Sequence, residues 1–261
     1  MAANPGITIT PPFGYGELQP LNRADRVLLP HGATPQFCRS VNALALSRAE
    51  FVAAARDYPI AFSSTDQKTY APVAVLGLAD RQNLFLQGNG EWDRNTYVPA
   101  FVRRYPFCIA KVVVEGRPRN ERLVCVEKAY VDSQGIALYD EGGKPTAQWQ
   151  TYERLLQEYE NDLELTGQMC SVLAKLELFS SFQFQVMDGE KPALTLKGMY
   201  RVDEKKLSDL KAASQKALIT KGFMSPIYAH FHSLENFGRL YTRALAHAAG
   251  EAKKRRESIQ R

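Results

Sequence analysis

Hydrophobic and polar positions alternate in short runs through much of the first 140 residues. Phe107–Glu115 and Arg122–Val126 flank Gly116-Arg117-Pro118-Arg119-Asn120. Further on, Phe182, Phe184 and Val186 alternate with Gln183 and Gln185 before Asp188-Gly189 turns into Ala193–Leu196. Pro72–Leu78 and Asn83–Gln87 flank a polar turn at Asp80-Arg81. Alternation on both sides of turn-forming residues predicts antiparallel hairpins with one face buried. Ser47-Arg48-Ala49-Glu50 is a capping box, opening a short helix with Phe51, Ala54 and Ala55 inward. That helix must stop before Pro59, because the residue preceding a proline is driven towards an extended conformation. Ile60-Ala61-Phe62 follows as a strand, and the same order of helix, Tyr-Pro break and strand recurs over Tyr97–Glu115.

The helical spacing is plainer. From Pro145, which suits a first helical position, to about Lys175, the residues Tyr152, Leu156, Tyr159, Leu163, Thr166, Cys170 and Leu173 step alternately by four and three. That is a heptad seam, expected to pack along a sheet or another helix, with a homodimer through Tyr152–Leu173 as the alternative. Asp203 can cap a shorter helix with Leu207 and Leu210 inward. Ser225-Pro226 predicts the start of a last helix with Ile227, Phe231, Leu234 and Leu245 inward, running into a basic tail. Strands and helices mix without βαβ alternation, so the expected fold class is α+β. Its antiparallel sheet is built from hairpins and covered by the heptad helix and the C-terminal helix.

Composition adds boundaries to this pattern. Six of the 14 prolines lie in the first 37 residues, which read as an extended arm over 1–37. A single body is expected over 38–248 and a basic tail over 249–261. With 261 residues, 45% hydrophobic and 23% charged, the chain can bury a core without disulfides or metal. Its net charge is +5, of which +3 lies in the last eleven residues. Nucleic acid is therefore not the expected partner; a protein or a small molecule is. The first cation is Arg23, no apolar signal-like segment precedes it, and no apolar run approaches membrane-spanning length. A cytoplasmic location is expected, with the cell surface by a non-classical route as the alternative. Cys38, Cys108, Cys125 and Cys170 are scattered without CxxC spacing, as reduced structural thiols would be.

No P-loop, GxGxxG after a strand, HExxH or GxSxG is present. His230 and His232 are two apart, and on a helix such residues point about 200° from each other, so they cannot share a metal. Glu153, Glu158, Glu160, Asp162 and Glu164 line the long helix, most of them on its outer, solvated face. Tyr97, Arg103, Arg104 and Tyr105 could form a basic-aromatic patch. The candidate ligand-binding residues are Arg103, Tyr105, His230 and Asn236, polar groups at element ends where clefts form. No catalytic residue, metal or cofactor is implied. A non-catalytic binding or accessory protein is the expected function, and a small-molecule enzyme with a site of scattered residues is the alternative.

Several runs resemble the bacterial SapC family: Phe51–Ile60, Pro72–Leu78, Asn83-Leu84-Phe85 with Trp92, and Tyr97–Phe107. Leu138–Thr146, Gly198–Glu204 and Ile227–His230 with Ser233, Leu234 and Asn236 continue it in order, from roughly Leu18 to Leu240. His232 stands where that family is usually apolar. The resemblance implies an association with the bacterial surface layer and serum resistance, and it carries over no catalytic residue. It also implies proximity to flavin-dependent tryptophan-halogenase-like enzymes and outer-membrane receptors. The unrelated peptide-transport permease that shares the name is excluded by the missing membrane spans.

Overall fold

The computed structural model describes residues 7–30, 32–114, 117–188 and 191–259, and its fold is α+β. In chain order the strands are β1 (Ile7–Ile9), β2 (Leu18–Pro20), β3 (Arg26–Val27), β4 (Ala43–Ala45), β5 (Ile60–Ser63) and β6 (Ala71–Val75). They continue with β7 (Phe107–Val114), β8 (Arg117–Glu127), β9 (Ile136–Ala137), β10 (Phe179–Asp188) and β11 (Lys191–Val202). The helices are α1 (Phe51–Ala54), α2 (Ala100–Arg103), α3 (Ala147–Lys175), α4 (Glu204–Ser208), α5 (Ala212–Thr220), α6 (Met224–Ser233) and α7 (Asn236–Ile259). Packing divides the chain into two compact units: Met1–Cys38 with Ala100–Asn161, and Arg39–Pro99 with Asp162–Arg261. The expected boundaries at 37/38 and 248/249 follow composition; this division follows contacts and passes through the expected body.

The first unit is built on the β7–β8 hairpin. Its register pairs Phe107 with Val126, Cys108 with Cys125 and Ile109 with Val124, as the alternation requires. Of the turn expected over Gly116–Asn120, Arg117–Asn120 belong instead to β8, with Arg117 opposite Val114 and Pro118 opposite Val113, and Gly116 lies outside the described residues. Phe107 and Val126 share one face and enter a core with Val27, Leu29, Leu138, Trp149 and Leu156. The Phe107 and Trp149 rings meet edge-on at 5.0 Å, and the indole N–H donates to Tyr139 at 3.1 Å. The proline-rich segment contributes strands here: β1 pairs with β7, β2 with β8 and β3 with β9. Burial of Tyr15, Val27 and Leu29 makes it part of the unit.

The second unit holds an antiparallel sheet in the order β10-β11-β5-β6-β4. The β10–β11 hairpin is the one expected; its turn at Gly189 lies outside the described residues. Phe182 and Phe184, on one face of β10, lie against Phe237 of α7 with centroids 5.4 and 4.9 Å away. The capping box forms, Ser47 N–H donating to Glu50 Oε2 at 2.9 Å ahead of α1. Asp203 caps α4 by accepting from Lys206 N–H at 3.1 Å.

Three local expectations are corrected. Pro72–Leu78 and Asn83–Gln87 form no strand ladder and share the bond from Leu84 N–H to the Leu76 carbonyl at 2.9 Å; β6 lies between β5 and β4 instead. The intervening chain folds tightly, with the Gln82 amide oxygen accepting from Leu78 and Ala79 N–H. A Cβ at Gly77 would stand 2.0 Å from the Gln82 carbonyl, so only glycine fits. The long helix begins two residues after Pro145, with Thr146 Oγ1 accepting from Trp149 N–H at 3.3 Å. The C-terminal helix is two helices, α6 starting at Met224 with Phe223 rather than Ser225 at its N-cap, and α7 starting after Leu234-Glu235. Its inward face shifts accordingly: Ile227, His230, Ser233, Phe237 and Leu240 are buried, Phe231 and Leu234 are half-buried, and Leu245 is exposed.

The heptad positions of α3 are buried or half-buried along its whole length. Leu156 enters the first unit's core, while Thr166, Cys170 and Leu173 are buried in the second. The seam is thus occupied by the chain's own side chains. No helix among the described residues is long and apolar enough to cross a membrane.

Candidate functional site

The four residues singled out in the sequence divide between the units, Arg103 and Tyr105 in the first and His230 and Asn236 in the second. Arg103 is exposed at the end of α2. Tyr105 is buried; desolvation and then its bonds to the Glu127 and Tyr130 side chains push its phenol far above the ordinary range. Next to Arg103, Arg104 is buried with its guanidinium 4.8 Å from the Phe101 ring and 4.7 Å from the Tyr159 ring. It pairs with Glu160 at 3.2 Å. That arginine is part of a packed interior and not of an open patch.

His230, Ser233 and Asn236 recur at three-residue spacing on one stripe spanning α6 and the start of α7. The stripe faces the chain segment that leads into β5. His230 Nδ1 lies 2.8 Å from the Ile60 carbonyl, and Val202 N–H points at Nε2 over 3.1 Å. Nε2 must accept there, so Nδ1 carries the proton and donates; the ring is neutral. Burial, with a contribution from the Arg201 charge, lowers the pKa of His230 to about 4 despite the Ile60 bond. Ser233 Oγ accepts from Ile60 N–H at 2.9 Å and donates to the His230 carbonyl at 2.6 Å, away from the imidazole. Asn236 Nδ2 donates to the carbonyls of Ala55 at 2.7 Å and Tyr58 at 3.1 Å. All three side chains satisfy main-chain groups, as buried polar groups must.

The cysteines are equally committed to packing. All four are free and buried. Burial pushes the thiols of Cys38, Cys108 and Cys170 up to about 12 and that of Cys125 to about 11, so each stays protonated and a poor nucleophile at neutral pH. Among the described residues, no group of three or more His, Cys, Asp and Glu could hold a metal ion.

An open cavity of about 390 Å³ in the second unit has a different character. Its walls come from the loop before β6, the C-terminal end of α3 and the start of α4. Gln67, Lys68 and Tyr70 stand on the first, Lys175 on the second with Glu177 just beyond it, Lys206 on the third, and Phe179 on β10 completes the lining. The loop is held in shape by Asp66, whose carboxylate accepts from Thr69 N–H at 2.7 Å, Lys68 N–H at 2.8 Å, Thr69 Oγ1 at 2.9 Å and Ser64 Oγ at 3.2 Å. Those bonds, the backbone ones foremost, hold its carboxyl well below the usual carboxylate range. Tyr70 stacks on Phe179 with centroids 4.0 Å apart and donates to the Gln67 carbonyl at 3.1 Å. Lys206 Nζ donates to the Glu177 carbonyl at 3.0 Å, just beyond the end of α3. No local pattern marks this site, because its three lysines are spread over 139 positions and each, read alone, is an ordinary surface residue.

The cavity's lining thus combines three lysines with Tyr70 and Phe179, on an α+β frame. The SapC family model matches residues 27–240, most of the chain, and the chain belongs to the SapC family. No curated protein and no solved structure matches it.

Proposed function

We propose that this SapC-family chain is a non-catalytic binding or accessory protein, in keeping with the surface-layer association that the family resemblance implies. The observation that carries the reading is the commitment of His230. It is the buried histidine of the candidate set, and both of its ring nitrogens are bonded to main-chain groups. A general base needs a nitrogen within reach of a substrate proton. The open concave surface described above instead offers ammonium groups and aromatic rings, which bind and orient but supply no nucleophile–base pair.

Native mass spectrometry of the chain purified from its source cell tests this reading. The expected spectrum shows a retained small molecule or a stoichiometric protein partner. A bare monomer would overturn it, and turnover of a metabolite by the purified chain would favour the enzyme alternative.

A further inference from the structure

We propose that the cavity between the 64–70 loop, the end of α3 and α4 binds a small organic phosphate. The proposal rests on the binding reading above and names its ligand class.

The charge of the lining comes first. Lys68, Lys175 and Lys206 face one cavity with Glu177 as the only carboxylate among its lining residues, which leaves a local +2. Lys206 already answers the exposed end of α3 through the Glu177 carbonyl. Neither Lys68 nor Lys175 forms an ion pair among the described residues. Ammonium groups brought from three separate elements to one hollow suit a ligand that carries two negative charges. Lysine suits phosphate as a point charge that needs no fixed angle.

Shape and rigidity come next. At about 390 Å³ the hollow falls in the range of small-molecule sites and is too large for a bare anion. Tyr70 and Phe179, stacked on each other, both line the hollow, so an organic group has an apolar wall to lie against. The loop that carries Lys68 is fixed by four bonds to Asp66 before any ligand arrives. Its ordering cost is already met, which favours binding.

Titration calorimetry of the full chain at low ionic strength provides the test, with phenyl phosphate and inorganic pyrophosphate as probes and sulfate as the comparison anion. Phenyl phosphate and pyrophosphate should bind at one site, and phenyl phosphate at least tenfold more tightly than sulfate. The double variant K68Q/K175Q, which changes two exposed side chains, should weaken both phosphates tenfold or more. K216Q/K221Q on and beside α5 should bind like the wild type. Equal loss in the two double variants would show general charge attraction and overturn the site. Sulfate binding as tight as phenyl phosphate would overturn the ligand class. If the wild type binds no probe while native mass spectrometry shows another retained ligand or a partner, this inference fails and the binding reading stands. If both experiments are empty, both fail.

Discussion

His230 and Ile60, 170 residues apart in sequence, are joined by a 2.8 Å bond between the imidazole Nδ1 and the strand carbonyl. The β5–β11 ladder pairs Tyr200 with Phe62, and two residues further on the same register sets Val202 opposite Ile60. There the imidazole bridges the two strands, taking Val202 N–H on one nitrogen and giving a proton to Ile60 on the other. A side chain from α6 thus performs the work of a ladder bond, and it fastens the helix to the sheet at the same point. His230→Phe keeps the ring but leaves two buried main-chain groups without this partner. Each such group costs about 1–3 kcal/mol, so the variant should lose roughly 2–5 kcal/mol in urea unfolding. A loss below about 1 kcal/mol would mean that the strands close up without the imidazole.

The same bridge predicts a pH dependence. The folded-state pKa of about 4 lies below the ordinary histidine value of about 6.5. As pH falls, the unfolded chain takes up this proton near pH 6.5, while the folded chain resists it until about pH 4. His230 therefore leaves stability unchanged above about pH 6.5 and lowers it between there and pH 4, by roughly 3 kcal/mol in all. The difference in unfolding free energy between the wild type and His230→Phe should shrink over that interval. A difference that is flat from pH 7 to 4 would contradict the neutral, doubly bonded ring.

These examples mark what local pattern can and cannot carry. The β7–β8 and β10–β11 hairpins, the capping box at Ser47 and the heptad seam were legible because each is written in consecutive residues. The order of the five-stranded sheet was not, since β11 meets β5 across more than a hundred positions. Asn83–Gln87 looked like a strand partner for Pro72–Leu78, but a long-range pairing with β4 won that edge. His230 stood out as a histidine near an apolar stripe, and only the fold shows that the stripe holds the main chain. Lys68, Lys175 and Lys206 had no pattern to betray them, because the cavity exists only after three elements assemble.

Asp162 of α3 acts on a different helix start. Its carboxylate accepts from Ala49 N–H at 2.7 Å and from Arg48 Nε at 3.1 Å, while Thr166 Oγ1 takes Arg48 N–H at 2.8 Å. The two side chains, one turn apart on α3, satisfy backbone donors that the turn ahead of α1 leaves open. Asp162→Ala should cost about 1–2 kcal/mol, the usual range for a lost cap. Asp162→Asn, which can still accept one N–H, should lose less. If both variants unfold at the wild-type urea midpoint, the capping role is refuted.

Arg104 offers a test in the first unit. Only 4% of its side chain is exposed, between Tyr159 and Phe101 and paired with Glu160. Removing Arg104 leaves Glu160 with only the more exposed Arg122, 3.4 Å away, as its partner, which places the cost at about 2–4 kcal/mol, towards the lower end for a broken buried pair. Arg104→Ala should fall in that range. The double variant R104M/E160Q, which removes both charges and keeps the volume, should recover most of the loss. A double variant no more stable than Arg104→Ala would assign the cost to the ring contacts instead.

The split of the C-terminal helix moves the important aromatic from Phe231 to Phe237. Phe237 is 2% exposed and lies on Phe182 and Phe184, so it locks α7 onto the first strand of the sheet. Phe231 is half-buried beside Tyr228, at 6.0 Å between centroids. Deleting a fully buried phenyl removes its transfer energy and opens a cavity, about 3–5 kcal/mol together. A half-buried ring yields part of the first contribution and little of the second, because water reaches the space. Phe237→Ala should therefore destabilise the chain by about 3–5 kcal/mol and Phe231→Ala by roughly 1–2 kcal/mol, compared in urea at one pH. The reverse order would restore a single continuous helix with Phe231 on its inner face, and with it the reading that Ser225-Pro226 first suggested.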